Sequence, residues 1–223
     1  MYIAIEGVIG VGKTTLARLL HEPFQANLLL EVFEENPFLS QFYADRQRYA
    51  FQTQIFFLLS RYHQQRRSVP DLTAAGRSLF SDYTFEKDAL FAGINLKGDE
   101  LEMYYRVHEA LAEKIMVPDL IVYLRATTPL LMQRIALRDR SYERNMQYGY
   151  IDELNRAYDD FFFKGPRNSP VLTIEVGTYD FLHNPADLHW IEARIREELQ
   201  ITPHQPELPL AEQRSTGSRS EGG

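Results

Sequence analysis

Five short apolar runs recur along the chain, at residues 2–6 (YIAIE), 27–32 (NLLLEV), 78–82 (SLFSD), 120–124 (LIVYL) and 171–176 (VLTIEV). Their apolar positions are nearly continuous rather than alternating. That pattern predicts strands covered on both faces, as in a parallel sheet. Segments with helical spacing lie between them, at residues 13–21, 43–67, 101–116, 129–137 and 151–162, and one more, at 185–199, follows the fifth run. Strands that alternate with helices predict an α/β fold: a five-stranded parallel sheet flanked by helices in three layers. Gly98-Asp99 and Val117-Pro118 punctuate helices, and Gly165-Pro166 precedes the last strand. From Ile201 onward the chain turns polar and rich in Pro, Ser and Gly. This predicts a single domain over residues 1–200 and a disordered tail over 201–223.

Between the first strand and the first helix stands GVIGVGKT, residues 7–14. It matches Gly-x4-Gly-Lys-Thr, and the strand before it and helix after it make the match specific. Glycines let the backbone curl so that successive N–H groups point inward. The helix that starts there adds its unpaired N–H groups and the positive end of its dipole. Lys13 supplies a mobile cation for the outer phosphates, and the Thr14 hydroxyl suits Mg²⁺. Gly7, Gly10, Gly12, Lys13, Thr14 and Thr15 are therefore the candidate ligands of a nucleoside triphosphate. The competing reading is a tight turn with chance glycines. A triphosphate site, for ATP or GTP, does not name an acceptor.

Composition narrows the classes. A net charge of −7 argues against a nucleic-acid polymer as partner, because such partners are met by basic surfaces. The absence of cysteine excludes disulfides, thiolate metal sites and Cys nucleophiles. No apolar stretch approaches the roughly 18 residues of a membrane helix, and strand-like residues begin at Tyr2 where a leader would carry basic residues. The cytoplasm is the expected location. Against this acidic background Arg134, Arg138, Arg140 and Arg144 crowd eleven residues. Arg134 and Arg138 are four apart, on one helix face, and the segment beyond Leu137 lacks apolar periodicity. It reads as a mobile lid whose arginines bring charge to phosphate, since the planar guanidinium binds phosphate oxygens in pairs. A solvated, salt-bridged helix end is the alternative. The histidines form no metal-ligand motif. Trp190 is expected to anchor the final helix on the sheet.

Four further stretches follow the phosphate loop: EVFEENPF from residue 31, YADRQRYAFQTQIFFLLSR from 43, SDYTFEKDALFA from 81 and RIALRDRSYER from 134. Glu31 and Asp82 close predicted strands, at the carboxyl edge where parallel sheets place ligands. A carboxylate at Asp82 suits Mg²⁺ through water, or orientation of a nucleophile. A strand-end Asp capping the next helix is the plainer reading. In this order the motifs resemble the deoxyribonucleoside kinases, particularly their bacterial deoxyguanosine/deoxyadenosine kinase branch. The resemblance covers residues 1–200 and implies a P-loop kinase with the thymidylate-kinase-like arrangement of the sheet.

The resemblance implies roles residue by residue. Glu31 accepts the proton of the attacking 5′-hydroxyl, although Val32 stands where the family has proline. Glu35 is a rival for that work or for a place near Mg²⁺, and Glu34 is expected to be solvated. Tyr43 and Glu143 bond the sugar 3′-hydroxyl. Gln54 and Arg61, seven apart on one helix face, read the base with Asp88, and Phe91 packs on it. Asp82 stands beside Glu31, and Lys13, Arg138 and Arg140 neutralise charge as the phosphoryl group moves. Arg134 and Arg138 hold ATP, and Thr14 and Asp82 hold Mg²⁺. The loop after the fifth strand borders the donor adenine. Where the family has an arginine after the acid, this chain has Tyr83. Lys87 or another arginine is then the candidate replacement. Transfer from ATP to a deoxyribonucleoside in nucleotide salvage is the activity so implied. Gln54, Arg61 and Asp88 point to a purine, and a homodimer through residues 43–67 and 101–116 is implied too. Two readings stand against it. A nucleoside monophosphate kinase, such as a thymidylate kinase, needs extra cations for its acceptor's phosphate. A GTPase switch needs a guanine-reading Asn-Lys-x-Asp motif, which is absent.

Overall fold

In the computed structural model each apolar run forms a strand: β1 (Tyr2–Glu6), β2 (Asn27–Leu29), β3 (Leu79–Ser81), β4 (Leu120–Arg125) and β5 (Val171–Glu175). All pair in parallel, in the order β2-β3-β1-β4-β5. The structure describes residues 1–74, 76–144, 146–165 and 168–201. The tail expected after Ile201, Pro166 of the expected turn and the side chain of Glu34 lie outside the described residues. The helices are α1 (Lys13–Leu20), α2 (Leu39–Ala44), α3 (Arg46–Ala74), α4 (Lys87–Asn95), α5 (Gly98–Ala112), α6 (Thr128–Arg138), α7 (Tyr148–Lys164) and α8 (Pro185–Glu198). No helix among the described residues is long and apolar enough to cross a membrane.

Both faces of the sheet are covered, which is why the strands read as continuous apolar runs. On β1, Ile3 and Ile5 enter a large core with Leu16, Leu20 and Phe80. Tyr2 and Ala4, pointing the other way, pack with Leu29, Leu79 and Val69 of α3. The central strand thus delivers the phosphate loop between two packed layers.

Several boundaries differ from the sequence reading, each for a local reason. The β2 and β3 strands stop at Leu29 and Ser81, so Glu31 and Asp82 lie just past the strand ends. There the Glu31 N–H donates to the Asp82 carboxylate at 2.8 Å, a side chain taking the place of a ladder carbonyl. The long helical stretch breaks at Asp45, which is extended, and its carboxylate accepts from the Arg48 N–H at 3.2 Å. That N-cap starts α3 as a separate helix. A helix at 87–95 escapes periodicity because it is short and carries a glycine. Trp190 does not anchor α8. It is 38% exposed and stacks on Tyr179, while Ile191 and Ile195 make the buried contact.

One buried acid ties the sheet edge together. Glu6, the last residue of β1, is fully buried. Its carboxylate accepts from the Gly7 N–H (3.1 Å), the Thr84 N–H (2.5 Å), the Thr84 hydroxyl (3.0 Å) and the Tyr158 hydroxyl (3.2 Å). It therefore joins the start of the phosphate loop, the exit of β3 and helix α7. Glu6→Ala strands two backbone N–H groups inside the core and is expected to destabilise the fold by about 3 kcal/mol or more. A urea midpoint within error of the parent's would refute that role.

Candidate active site

The phosphate loop leaves β1 with its first glycine jammed against the sheet. Gly7 has φ 145°, and a Cβ there would strike the Leu124 carbonyl oxygen. Gly12, the residue before α1, has φ 109°, and a Cβ would come 3.1 Å from the Phe181 ring. Only glycine meets both demands. Lys13 opens α1 and folds back over the loop, with Nζ donating to the Gly7 carbonyl at 2.6 Å and to that of Val8 at 3.3 Å. Burial, reinforced by the nearby Lys87, pushes the Lys13 amine down to about 8.

Beside it the Thr14 hydroxyl donates to Asp82 Oδ2, while Asp82 Oδ1 accepts the Glu31 N–H. One carboxylate therefore spans the phosphate loop and the segment after β2. Among the described residues no cluster of three or more His, Asp or Glu could cage a metal. A single carboxylate with a hydroxyl fits Mg²⁺, which usually takes one or two protein oxygens and completes its shell with phosphate and water.

Glu31 faces two cations. Arg61 Nε donates to Oε1 at 2.8 Å, and one terminal nitrogen of the same guanidinium donates to that oxygen as well. Lys87 Nζ donates to Oε2 at 2.7 Å. Burial would raise the Glu31 carboxyl, but Arg61 and then Lys87 override it and hold the group well below the usual carboxylate range. The other terminal nitrogen of Arg61 binds Asp88 Oδ1. Asp88 is fully buried and its Oδ2 has no partner among the described residues.

Glu31, Lys13, Thr14, Gly10 and Asp82 line one cavity, which holds about 860 Å³ of non-atom space including its mouth. Arg61, Tyr43, Gln54, Phe91, Glu143, Arg138 and Arg140 line the same space. Gln54 is only 2% exposed, and its amide makes no hydrogen bond to any described residue. It has donor and acceptor capacity to offer a ligand. Asp88 does not line the cavity: it stands behind Arg61 and grips it. Glu35 is exposed and outside the cavity, which separates it from Glu31. Thr15, on the first turn of α1, is also outside the lining.

The arginine segment is folded over the site. Arg138 Nη2 donates to the buried Glu143 carboxylate at 2.7 and 2.5 Å. Arg140 lies 4.2 Å over the Phe33 ring. A short 3₁₀ turn at Ser141–Glu143 sets Tyr142 parallel to Tyr43, with ring centroids 6.2 Å apart. The expected loop thus has ordered contacts supplied by aromatics, which helical periodicity does not detect. Arg134 instead braces the phosphate loop, donating to the Val11 carbonyl at 2.9 Å, and Arg144 forms an exposed pair with Asp139. Sequence reasoning left out Phe57, Phe33 and Tyr158 as lining residues, and Glu6 beneath them. Phe57 was legible: it lies three after Gln54 and four before Arg61, on their helix face, and its ring lies 4.5 Å from the Arg61 guanidinium carbon.

Comparison with known proteins places this arrangement among relatives. The family model described as "Deoxynucleoside kinase" matches residues 3–200. The "Deoxyguanosine kinase" of Bacillus subtilis (strain 168) is 33% identical over 199 residues, covering 88% of this chain and 96% of its own. The "Deoxyadenosine kinase" of Dictyostelium discoideum is 33% identical over 175 residues, covering 78% and 71%. A solved structure of deoxyadenosine kinase from M. mycoides with bound dATP superposes with a TM-score of 0.77 at 24% identity, over 88% of this chain and all of that one. That match is one of fold.

Lys13 gives the site a pH signature. A polyphosphate beside Lys13 favours its charged form, so binding takes up a proton near pH 8. Affinity for a nucleoside triphosphate is expected to hold below that pH and to fall as pH rises through it. Titration calorimetry in buffers of different ionisation enthalpy reads the proton directly, and Lys13→Met should abolish the uptake.

Proposed function

Since the chain belongs to the deoxynucleoside kinase family, we propose that it transfers the γ-phosphoryl group of ATP to the 5′-hydroxyl of a purine deoxynucleoside, deoxyguanosine or deoxyadenosine. The observation that carries this reading is the Asp82 carboxylate, which holds the Thr14 hydroxyl with one oxygen and the Glu31 amide with the other. It sets the acceptor's carboxylate at a fixed place relative to the phosphate loop. Glu31 takes the 5′-hydroxyl proton as the oxygen attacks phosphorus in line, and the bond to the β-phosphate oxygen breaks. A carboxylate with so low a pKa is a weak base. Phosphoryl transfer asks mainly for orientation and charge stabilisation, so this suffices. Thr14 and Asp82 would hold Mg²⁺, which would offset phosphate charge when bound. Arg138 and Arg140 come from the lid to the migrating group.

An uncharged acceptor suits the charge pairing. Arg61 is occupied by Glu31 and Asp88, and Arg138 by Glu143. A monophosphate would need one of these cations released. Tyr43 and Glu143, both lining the cavity, supply groups for the 3′-hydroxyl, and Gln54 with Arg61 faces the base. Leu59 on α3 and Met103 on α5 are exposed, which supports the homodimer through these helices. The cytoplasm, where salvage substrates meet ATP, belongs to the same proposal.

Incubation with labelled ATP, Mg²⁺ and a panel of nucleosides and nucleotides tests the function. Labelled dGMP or dAMP, in excess over pyrimidine products, is expected. Label on added monophosphates would favour the monophosphate kinase, and acceptor-independent phosphate release the switch. Asp88→Ala frees one terminal nitrogen of Arg61, the other contacts to Glu31 remaining. It is expected to lower the purine-over-pyrimidine ratio of kcat/KM roughly tenfold or more, with ATP KM within about twofold. Equal losses for acceptor and ATP would count against this placement of Asp88.

A further inference from the structure

We infer that Lys87 is a positioning residue for the phosphoryl transfer, holding the one Glu31 oxygen that can receive the acceptor's proton. The inference rests on the reading of Glu31 as proton acceptor. It follows from counting lone pairs. A carboxylate offers about four acceptor positions, two on each oxygen. Arg61 fills both positions on Oε1, through Nε and a terminal nitrogen. Lys87 fills one on Oε2, at 2.7 Å. The remaining position is on Oε2, so an arriving hydroxyl must share that oxygen with the Lys87 ammonium.

Two further observations fit this placement. Lys87 is 4% exposed and lines the cavity with Lys13 and Glu31, so its charge is directed inward. It also opens α4, four residues after Tyr83 and five after Asp82. Lys87 Nζ lies 5.4 Å from the Tyr83 ring centroid. The first residue of α4 therefore places a buried cation at the acceptor carboxylate.

The chemistry follows. The 5′-oxygen forms a bond to the γ-phosphorus, the bond from phosphorus to the bridging oxygen breaks, and its electron pair leaves with ADP. The hydroxyl proton passes to Glu31 Oε2. Once protonated, that oxygen no longer holds the ammonium by charge. Lys87 thus keeps Glu31 aimed at the arriving hydroxyl until the proton is transferred.

The test uses Lys87→Met, Lys87→Arg, Glu31→Gln and the double variant Glu31→Gln/Lys87→Met, each assayed for kcat and KM with deoxyguanosine and deoxyadenosine. Lys87→Met is expected to lower kcat roughly ten- to hundredfold with ATP KM within about twofold. Lys87→Arg should recover most of the rate. In the Glu31→Gln background Lys87→Met should add little, because the two act as a unit. Fully additive losses in the double variant, or a Lys87→Met loss that falls on ATP KM instead of kcat, would overturn the role of Lys87. Full activity in Glu31→Gln would instead overturn the reading of Glu31. If Lys87→Met fails to fold, Lys87→Arg and Lys87→Gln carry the same comparison.

Discussion

Two carboxylates hold this site in shape. Glu6 binds the first N–H of the phosphate loop and the backbone after β3. Asp82, at that same exit, binds the loop's threonine and the backbone after β2. Strand ends in a parallel sheet are otherwise free to diverge, because the ladder stops where the chain turns away. Here the missing ladder bonds are replaced by charged acceptors. Such bonds are shorter and stronger than neutral ones, and they leave little room for the three strand exits to drift apart. Positioning of this kind is what a reaction with little covalent chemistry for the protein requires.

The cations obey the same economy of partners. Lys87, Arg61 and Arg138 are each paired with a buried or nearly buried acid. A buried charge without a partner is costly, so the ligand-free site must carry its own counterions. Opposite charges of similar number also let the site admit a neutral sugar and base without a large change in field. Lys13, like Arg134, donates to carbonyls rather than to a carboxylate, and its amine is pushed down by burial and by Lys87. It is the cation poised to gain from an arriving polyphosphate. Arg138 must exchange Glu143 for phosphate to act there, which couples the donor's arrival to the group expected to bond the sugar.

The fold was legible because both faces of each strand are buried, which writes strands as apolar runs, and because the phosphate loop needs glycines that leave a fixed pattern. Glu31 and Asp82 were legible as acids at strand ends, since acids are rare beside buried runs unless something uses them. The rest was hidden by geometry. Glu6 sits inside a run that reads as pure strand, and nothing local shows that three distant groups converge on it. Asp88 looked like a residue that touches ligand, yet the turn of α4 puts it behind Arg61. The fate of the four arginines depended on where α6 ends. Arg134 meets the loop and Arg138 and Arg140 meet the cavity, while Arg144 faces solvent.

Under the proposed function, Arg61 would make recognition and chemistry a single event. Its guanidinium spans Asp88 on one side and Glu31 on the other, and its face rests on Phe57. With five donors in a rigid fork, it cannot turn toward a base without altering its grip on one of these acids. A base that fits the edge Arg61 presents leaves Glu31 held in place. One that pulls the fork aside loosens the carboxylate that must meet the hydroxyl. On that proposal selectivity would be paid in turnover as well as in binding, because the residue proposed to read the base also aims the proposed proton acceptor.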